Sequence, residues 1–148
     1  MTQNIDNLHE KAGSTIIRHI HGELYKSKCH LCDYKEDYIE GRFGQDCPQC
    51  DNGLIRPDVV LFKETPKYIN DIFKILYESD LFIQVGTSGT VYPAANLIRD
   101  FKEYTGKVAI NISKELPKNN GFFDYSFVGN ATEWLPIVTD KLLTKINL

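Results

Sequence analysis

The sequence predicts an α/β fold: a partial, Rossmann-like parallel sheet with a small four-cysteine zinc-ribbon module inserted into it. Three observations predict this class. Four cysteines occur as two CxxC pairs, apolar runs of strand length alternate with helical repeats after residue 80, and 148 residues suffice for one core with a small insertion. Strands that alternate with helices form parallel sheets with right-handed crossovers, as in doubly wound proteins. We expect residues 1–24 and 56–148 to form the sheet domain and residues 25–55 to form the zinc module.

The cysteine spacing is typical of a closed structural zinc site. Two thiolates held two residues apart on a tight turn cover one edge of a tetrahedron, and a second such turn completes it. Two disulfides or four free thiols are the alternatives, and CxxC pairs without a secretory signal favour zinc. His30 lies inside the first pair, where we expect its ring to point away from the metal. The predicted ligands are Cys29, Cys32, Cys47 and Cys50.

Charge and hydropathy exclude several classes of function. A formal net charge of −3 argues against a general nucleic-acid binder, because such proteins carry a basic excess that neutralises phosphates. The N-terminus lacks the apolar segment of a signal peptide, and no apolar run is long enough to span a bilayer. We therefore expect a cytoplasmic protein that has no membrane partner and for which a nucleic-acid partner is disfavoured.

Short elements are predicted in the N-terminal part of the chain. Residues 7–12 have the pattern of one or two helical turns, and residues 15–24 are expected to be extended and to break at Gly22. In an extended segment, His19 and His21 fall on one face because they are two residues apart.

The remainder of the chain shows a more regular pattern. Residues 59–62 form an apolar run that predicts a buried strand, and Thr65 followed by Pro66 predicts the start of a helix. The further predicted elements are a strand at 80–85, a glycine-rich loop at 86–92, a helix from Pro93 to Gly106, a strand at 107–112, a loop at 113–124, a strand at 125–128 and a final helix with Leu135, Val138, Leu142 and Ile146 inward.

Small polar loops follow three of the predicted strands, at residues 86–88, 111–114 and 129–131. Because ligands of parallel α/β sheets bind outside the carboxyl ends of the strands, we expect a binding site along this edge. Each loop alone is equally explained as a simple turn. No GxGxxG motif follows a strand, so the usual pyrophosphate-binding fingerprint is missing.

Several longer motifs follow one another along the chain. They are Thr2-Gln3-Asn4-Ile5-Asp6-Asn7-Leu8-His9, His21-Gly22, the two cysteine pairs, Arg56-Pro57-Asp58-Val59-Val60-Leu61-Phe62, Gly86-Thr87-Ser88, Val91-Tyr92-Pro93-Ala94-Ala95 and Asn111. Their order is the one seen in sirtuins, and the chain resembles the C-terminal two thirds of a member of that family of NAD-dependent protein-lysine deacylases.

The resemblance implies NAD and Zn²⁺ as cofactors and an acylated lysine of a protein or peptide as substrate. In the family the acyl oxygen attacks the nicotinamide ribose, nicotinamide leaves, and a histidine at the position of His21 acts as general base on a ribose hydroxyl. Free lysine and O-acetyl-ADP-ribose are the other products. Without the resemblance, His21 would be interpreted as a packed or surface histidine, and the N-terminal polar cluster as a loop with a helix cap.

The roles that the resemblance implies are assigned residue by residue. His21 and Asn4 would be catalytic. Gln3, Asn4 and Asp6 would contact the nicotinamide end of NAD, and Gly86, Thr87, Ser88, Asn111 and Ala131 would line its adenosine side. Val60 and Phe62 would border the acyl-lysine tunnel.

Two departures from the family pattern qualify these expectations. Met1 directly precedes Thr2, so we expect the glycine-rich phosphate loop that opens a sirtuin to be missing, and Lys63 stands where the family usually has glycine. We expect either a fragment that a separate chain completes or a non-catalytic, zinc-stabilised interaction protein. A free zinc ribbon that binds nucleic acid is disfavoured by the net charge.

Overall fold

The structure is a computed structural model that describes residues 1–91 and 94–146. It forms two compact units, Met1–Ile72 and Phe73–Leu148. In chain order the elements are α1 (Leu8–Lys11), β1 (Gly22–Cys29), β2 (Lys35–Asp37), β3 (Ile55–Val59), α2 (Ile69–Glu78), β4 (Leu81–Val85), α3 (Ala94–Thr105), β5 (Val108–Ser113), a 3₁₀ turn (Asn120–Phe122), β6 (Tyr125–Val128) and α4 (Ala131–Ile146).

The first unit contains a three-stranded antiparallel sheet with β1 in the centre, between β2 and β3. The pairing of β1 with β3 runs from Gly22 opposite Val59 to Cys29 opposite Ile55, with a bulge after Glu23. Both strands cross the predicted limits of the zinc module at residues 25 and 55. The division of the chain into domains stays a prediction.

The predicted break at Gly22 is confirmed, but the extended segment expected up to it is wrong at its end. Ile20 and His21 form a turn that the Gly22 N–H closes by donating to the His19 carbonyl at 3.1 Å, and β1 begins at Gly22 and continues into the first cysteine. Gly22 has a φ of +83°, and a Cβ at this position would clash with the carbonyl of Asp58 and come within 2.8 Å of the Val59 Cα. Glycine therefore lets β3 approach β1 closely at the end of the sheet next to His21.

The predicted buried strand at residues 59–62 is also wrong. β3 ends at Val59, and the following residues form an exposed turn in which Leu61 is 52% and Phe62 102% exposed. The Glu64 N–H donates to the Leu61 carbonyl, and the Glu64 carboxylate accepts the Leu61 N–H at 3.0 Å. A four-residue apolar run does not reveal this turn, because a polar side chain beyond it satisfies the backbone.

The helix predicted from Thr65 and Pro66 begins later, since α2 starts at Ile69. The Lys67 N–H donates to the Ile20 carbonyl at 2.9 Å, and its ammonium donates to the buried Asp58 carboxylate at 2.6 Å. These long-range bonds hold Lys67 in a turn and outweigh the local signal for a helix start.

The second unit contains the predicted parallel sheet, with strand order β4-β5-β6. Ile110 and Ile112 of the central strand pack with Val138 of α4. On the other face, the Phe82 ring lies 5.5 Å from the Phe101 ring of α3. Helices therefore cover both faces, as the alternation of side chains along a doubly covered sheet requires.

Strands β4, β5 and β6 agree with their predicted ranges to within one residue, and α3 ends before Gly106 as predicted. Three expectations fall outside what the structure describes: the positions of Tyr92 and Pro93, and the inward orientation of Ile146. Within the described residues, no helix has the length and apolar character needed to cross a membrane.

Substitution of Gly22 by alanine tests the close approach of β1 and β3. We expect the free energy of unfolding to fall by about 3 kcal/mol, because a methyl group meets the Asp58 carbonyl and the left-handed backbone becomes strained. Urea denaturation measures the change. Gly121→Ala is the matched control, because its Cβ meets nothing within 4 Å. Equal stability of the two variants would contradict the interpretation.

Candidate functional site

The four cysteines converge to form one cluster in the first unit. All four Sγ atoms lie within 4.8 Å of one another. The Cys29 and Cys50 sulfurs are 3.7 Å apart, as are those of Cys32 and Cys47. A tetrahedron with Zn–S bonds of about 2.3 Å has edges of about 3.8 Å, so the donor set and its spacing fit a zinc ion.

Backbone N–H groups stabilise thiolates in each CxxC pair. Leu31 N–H donates to the Cys29 sulfur and Gln49 N–H to the Cys47 sulfur, both at 3.3 Å. Burial alone would raise the pKa of Cys29, but backbone N–H groups and neighbouring thiols lower it to about 6. A thiolate is the form that binds metal, so Cys29 is suited to be a ligand.

Two neighbours of the cluster have structural roles. A Cβ on Gly53 would clash with the Cys29 sulfur and lie 2.6 Å from the Cys50 sulfur, so only glycine fits there. His30 does not belong to the cluster of possible metal ligands found among the described residues, and its Nδ1 accepts the Leu54 N–H at 2.8 Å. The expectation that the His30 ring points away from the metal stays a prediction.

The polar residues at the start of the chain form a terminal loop, residues 2–6, that is attached to the segment before β1. Thr2 and His19 form a parallel β-bridge, in which Thr2 N–H donates to the Arg18 carbonyl and Ile20 N–H donates to the Thr2 carbonyl. At the other end of the loop, Leu24 N–H donates to the Ile5 carbonyl at 2.8 Å. These bonds place the loop beside His21.

His21 lies directly before β1 and is half-buried. Its Nδ1 is 3.2 Å from the carbonyl oxygen of Gln3. Because a carbonyl can only accept, Nδ1 carries the proton in the neutral ring and Nε2 carries the lone pair. The Asn4 side chain is exposed and Gln3 is half-buried. The structure thus brings three of the predicted site residues together, while their roles stay predictions.

Asp6 also has a local structural role. Its carboxylate accepts the Leu8 N–H at the start of α1, at 3.1 Å. This contact agrees with the polar loop of the alternative interpretation, whereas Asn7, the N-cap residue of α1, makes no side-chain capping bond. It occupies one carboxylate oxygen, so it is compatible with a second contact to a ligand.

The antiparallel pairing of β1 with β3 joins the metal cluster to the histidine. Cys29 and Ile55 pair at one end, and Gly22 and Val59 pair at the other. Just beyond the second end, Val60 N–H donates to the His21 carbonyl at 2.8 Å. Eight strand residues span on the order of 20 Å, so the metal would lie well away from His21 and would brace the sheet that holds it.

Loops after all three parallel strands line one cavity in the second unit. Its volume is about 380 Å³, and it lies at the carboxyl ends of β4, β5 and β6. Such a position and size are typical of ligand sites in α/β sheets. Its lining residues are Gly86, Thr87, Ser88, Ile112, Ser113, Lys114, Glu115, Gly129 and Ala131.

Four of the five residues predicted for the adenosine side of NAD line this cavity, and Asn111 does not. The Asn111 side chain is completely buried in β5, where it donates to Ser113 Oγ at 2.9 Å. Ser113 in turn donates to the Glu115 carbonyl at 2.6 Å. The strand extends through Ser113, so Ser113, Lys114 and Glu115 form the rim instead. Asn111 stands behind that rim, and its role in binding stays a prediction.

The two predicted substrate residues differ in their surroundings. Val60 is half-buried and bonded to His21 through the backbone, whereas the Phe62 ring lies fully in solvent on the turn after β3. The Glu64 carboxylate pairs with Arg56, which braces this turn. Lys63 has a φ of +77°, a left-handed conformation that is unusual for a residue other than glycine.

A larger cavity, of about 670 Å³, lies in the first unit near Ser27 and Asp58. Two of its three lysines, Lys26 and Lys67, are already paired within the protein, with Asp37 and Asp58 respectively. No ligand is assigned to it.

The sequence interpretation missed one residue of the terminal loop's surroundings. His19 is 4% exposed, with Nδ1 at 2.9 Å from the Asn4 carbonyl and Nε2 at 2.8 Å from a Glu10 carboxylate oxygen. The two histidines do not share the face of a strand as expected, because Ile20 and His21 form a turn. Glu10 is nine residues away in the sequence, so no local pattern reveals the contact.

Removal of one ligand tests the zinc assignment. We expect wild-type protein to contain one zinc per chain and Cys47→Ser to lose it and to unfold at a lower temperature, because metal binding contributes free energy of folding. Elemental analysis and thermal denaturation monitored by circular dichroism measure both effects. His30→Gln is the control and should retain its zinc. Wild-type protein without zinc, or loss of zinc in the control, would contradict the assignment.

The comparisons with known proteins agree with this geometry. The family model described as the Sir2 family matches residues 1–93. The NAD-dependent protein deacylase SIR2rp3 of Leishmania major is 37% identical over 97% of this chain and 60% of its own length. The NAD-dependent protein deacetylase of Saccharolobus solfataricus is 40% identical over 99% of this chain and 61% of its own length.

Solved structures show the same relationship. A Sir2 homologue mutant in complex with ADP-ribose matches with a TM-score of 0.88 and 30% identity, over 99% of this chain and 60% of that chain. A complex of Sir2 with a p53 peptide and NAD⁺ matches with a TM-score of 0.79 and 26% identity, over 94% of this chain and 60% of that chain. This chain spans about 60% of the length of such relatives. The family model matches well over half of this chain. This chain therefore belongs to the Sir2 family.

Proposed function

We propose that this chain carries the catalytic histidine of an NAD-dependent protein-lysine deacylase, which transfers the acyl group of an acylated lysine to ADP-ribose and releases nicotinamide. The observation that carries the proposal is the bond between His21 Nδ1 and the Gln3 carbonyl. It sets the ring so that Nε2 is the basic atom, beside the Gln3-Asn4 segment. The names of the relatives support the reaction class.

His21 is suited to act as a general base at neutral pH. A neutral imidazole whose Nδ1–H is engaged by a carbonyl keeps one tautomer, so Nε2 carries the lone pair that accepts a proton. The Gln3 carbonyl provides this engagement in the structure. We assign to Nε2 the role of accepting the proton of a ribose hydroxyl.

Two sets of residues would hold NAD, each on its own part of the chain. The terminal loop, with Gln3, Asn4 and Asp6, would contact the nicotinamide end. Gly86, Thr87, Ser88 and Ala131, which line the cavity in the second unit, would take the adenosine end. The fit rests on the cavity, where glycine backbone and small side chains leave room for a planar base. When bound, NAD supplies the ADP-ribose acceptor and the nicotinamide leaving group.

The substrate would be an acylated lysine in an extended peptide. Val60 lies next to His21, and Phe62 presents an exposed aromatic ring on a braced turn two residues further on. An apolar side chain in this position would shield the acyl group and the lysine stem from water. Exposed backbone beyond β3 would pair with the peptide.

Two further proposals concern the context in which the chain acts. Because the four cysteines are unpaired thiols arranged as metal ligands, we place the chain in the reducing cytoplasm. Because the relatives are longer, we infer that activity uses a further polypeptide segment, supplied either by the same protein or by a separate chain.

Substitution of the histidine tests the reaction. We expect His21→Ala to lower NAD-dependent release of nicotinamide in the presence of acetylated peptide by at least about 100-fold, since general base catalysis contributes about 10²–10⁴. His9→Ala, an exposed histidine of α1, should change the rate less than about twofold, as expected for a substitution on the surface.

The assay uses this chain alone and this chain mixed with a polypeptide that supplies the part of the relatives it does not match. Absence of nicotinamide release from both would contradict the proposed activity and favour a non-catalytic interaction protein. Full activity of His21→Ala would contradict the role of the histidine.

Filling the cavity tests its assignment to the adenosine end. Ala131→Phe should weaken binding of ADP-ribose by at least about tenfold, because a benzyl group occupies the space at the start of α4. Thr132→Phe is the matched control, since Thr132 is exposed and does not line the cavity. Isothermal titration calorimetry measures both affinities. Equal affinities of the two variants would place the nucleotide elsewhere.

A further inference from the structure

His19 is a buried polar side chain with both ring nitrogens occupied. Nδ1 lies 2.9 Å from the Asn4 carbonyl and Nε2 lies 2.8 Å from the Glu10 carboxylate. The residue is 4% exposed, so water does not substitute for either partner. The ring thus joins the terminal loop to α1.

The chemistry of the two partners determines the protonation state of the ring. A carbonyl oxygen and an ionised carboxylate can only accept hydrogen bonds, so both nitrogens must donate. Only the imidazolium ion has two N–H groups. Burial alone would lower the pKa of His19, but the hydrogen bonds to Glu10 and Asn4 and the charges of Glu10 and Glu23 raise it above its ordinary value of 6.5. The bond to His19 lowers the pKa of Glu10 from 4.5.

The carbonyl that His19 holds is that of Asn4, the residue after Gln3. Thr2 N–H and Ile5 carbonyl bond to Arg18 and Leu24 on either side, so His19 holds the middle of the terminal loop. The adjacent Gln3 carbonyl is the group that orients His21. A shift of the peptide at Asn4 would therefore move both the Asn4 side chain and the acceptor that sets the tautomer of His21.

We propose that His19, as an imidazolium ion bridging the Asn4 carbonyl and the Glu10 carboxylate, is a positioning residue that presents Asn4 and orients His21. The proposal rests on the proposed function for its catalytic consequence. The bridge that His19 forms between the Asn4 carbonyl and the Glu10 carboxylate, here called the clamp, does not depend on catalysis and is tested independently of activity.

The clamp operates in a defined pH window. The stabilisation that comes from the charge of His19 is fully present below the ordinary pKa of 6.5. It is lost as pH rises through the raised pKa that His19 has in the folded protein. The stabilisation that comes from the charge of Glu10 is present above its ordinary pKa of 4.5. It is lost as pH falls through the lowered pKa that this carboxyl has in the folded protein. Within the window both charges are present and the terminal loop is held.

Nuclear magnetic resonance of the imidazole nitrogens tests the clamp directly. At a pH of about 6.5, the ordinary pKa of histidine, we expect His19 in the zinc-loaded wild-type protein to show two protonated nitrogens, and the neutral ring of His21 to show the Nδ1–H tautomer. Glu10→Gln should lower the pKa of His19, because it removes the ionised acceptor while keeping the shape of the side chain. His30→Gln, outside the terminal loop and α1, should leave the pKa of His19 unchanged.

Hydrogen exchange provides a second measurement on the same variants. The Ile20 and Leu24 amides, which bond to Thr2 and Ile5, should lose protection at least about tenfold in Glu10→Gln, whereas the Leu31 amide at the metal cluster should not. In wild-type protein the same two amides should lose protection as pH rises through the pKa of His19. A neutral His19 at a pH of about 6.5, or unchanged protection in Glu10→Gln, would overturn the proposal.

Kinetics separate the clamp from the proposed function. In active assemblies, Glu10→Gln should lower kcat for nicotinamide release at least about fivefold and shift the alkaline limb of its pH profile, while His30→Gln should do neither. An unchanged pH profile would overturn the positioning role even if the resonances show the imidazolium ion. Absence of activity in all assemblies would contradict the proposed function and, with it, the catalytic part of this proposal.

Discussion

The pairing of β1 with β3 is the constraint on which the first unit depends. Cys29 pairs with Ile55 next to the metal cluster, and Gly22 pairs with Val59 next to His21. The paired strands therefore have the metal cluster at one end, and His21 and Val60 lie just beyond the other end. Apart from the bulge after Glu23, the two strands stay paired from one end to the other, so the position of His21 and Val60 depends on the geometry at the cysteines. The clash that any Cβ on Gly22 would have with Asp58 explains why the histidine is followed by glycine.

The metal cluster supplies free energy that the small sheet lacks. Buried side chains in this part of the chain are few, and those at the cluster are Cys29, Cys47 and Ile55. A structural zinc ion contributes an apparent binding free energy of about 10–16 kcal/mol, which is comparable with the total stability of a small domain. The ion is therefore an alternative to a hydrophobic core, and its distance from His21 agrees with a role in folding rather than in chemistry.

Histidines hold the terminal loop from two sides. His21 bonds to the Gln3 carbonyl and His19 bonds to the Asn4 carbonyl, so two successive peptides are fixed by side chains of one turn. A loop with exposed Asn4 needs such support, because a few polar residues cannot offset the conformational entropy of a fixed backbone. The two rings differ in their partners, because a carboxylate faces the second nitrogen of His19, whereas the carbonyl bond at Nδ1 of His21 only fixes which tautomer its neutral ring adopts.

Patterns with local causes were predictable. The CxxC pairs indicated the metal cluster, and the parallel strands β4, β5 and β6 were placed correctly because alternating apolar runs and helical repeats have a regular period. The resemblance to sirtuins, carried by motifs such as Thr2–Asp6 and His21-Gly22, indicated the family. The cavity was expected at the carboxyl ends of these strands for a topological reason, and four of its residues were assigned to the adenosine side of NAD.

By itself, then, the sequence determined the metal ligands, the parallel sheet and the family, since each depends on the identity and spacing of neighbouring residues. Tertiary structure decided the rest. Lys67 is kept out of α2 by Ile20 and Asp58, the turn at Leu61 is closed by Glu64, and His19 finds its partner in Glu10. In each case a polar group forms a hydrogen bond with a partner that is distant in sequence or lies outside the apolar pattern. Hydrophobic periodicity carries no information about such bonds.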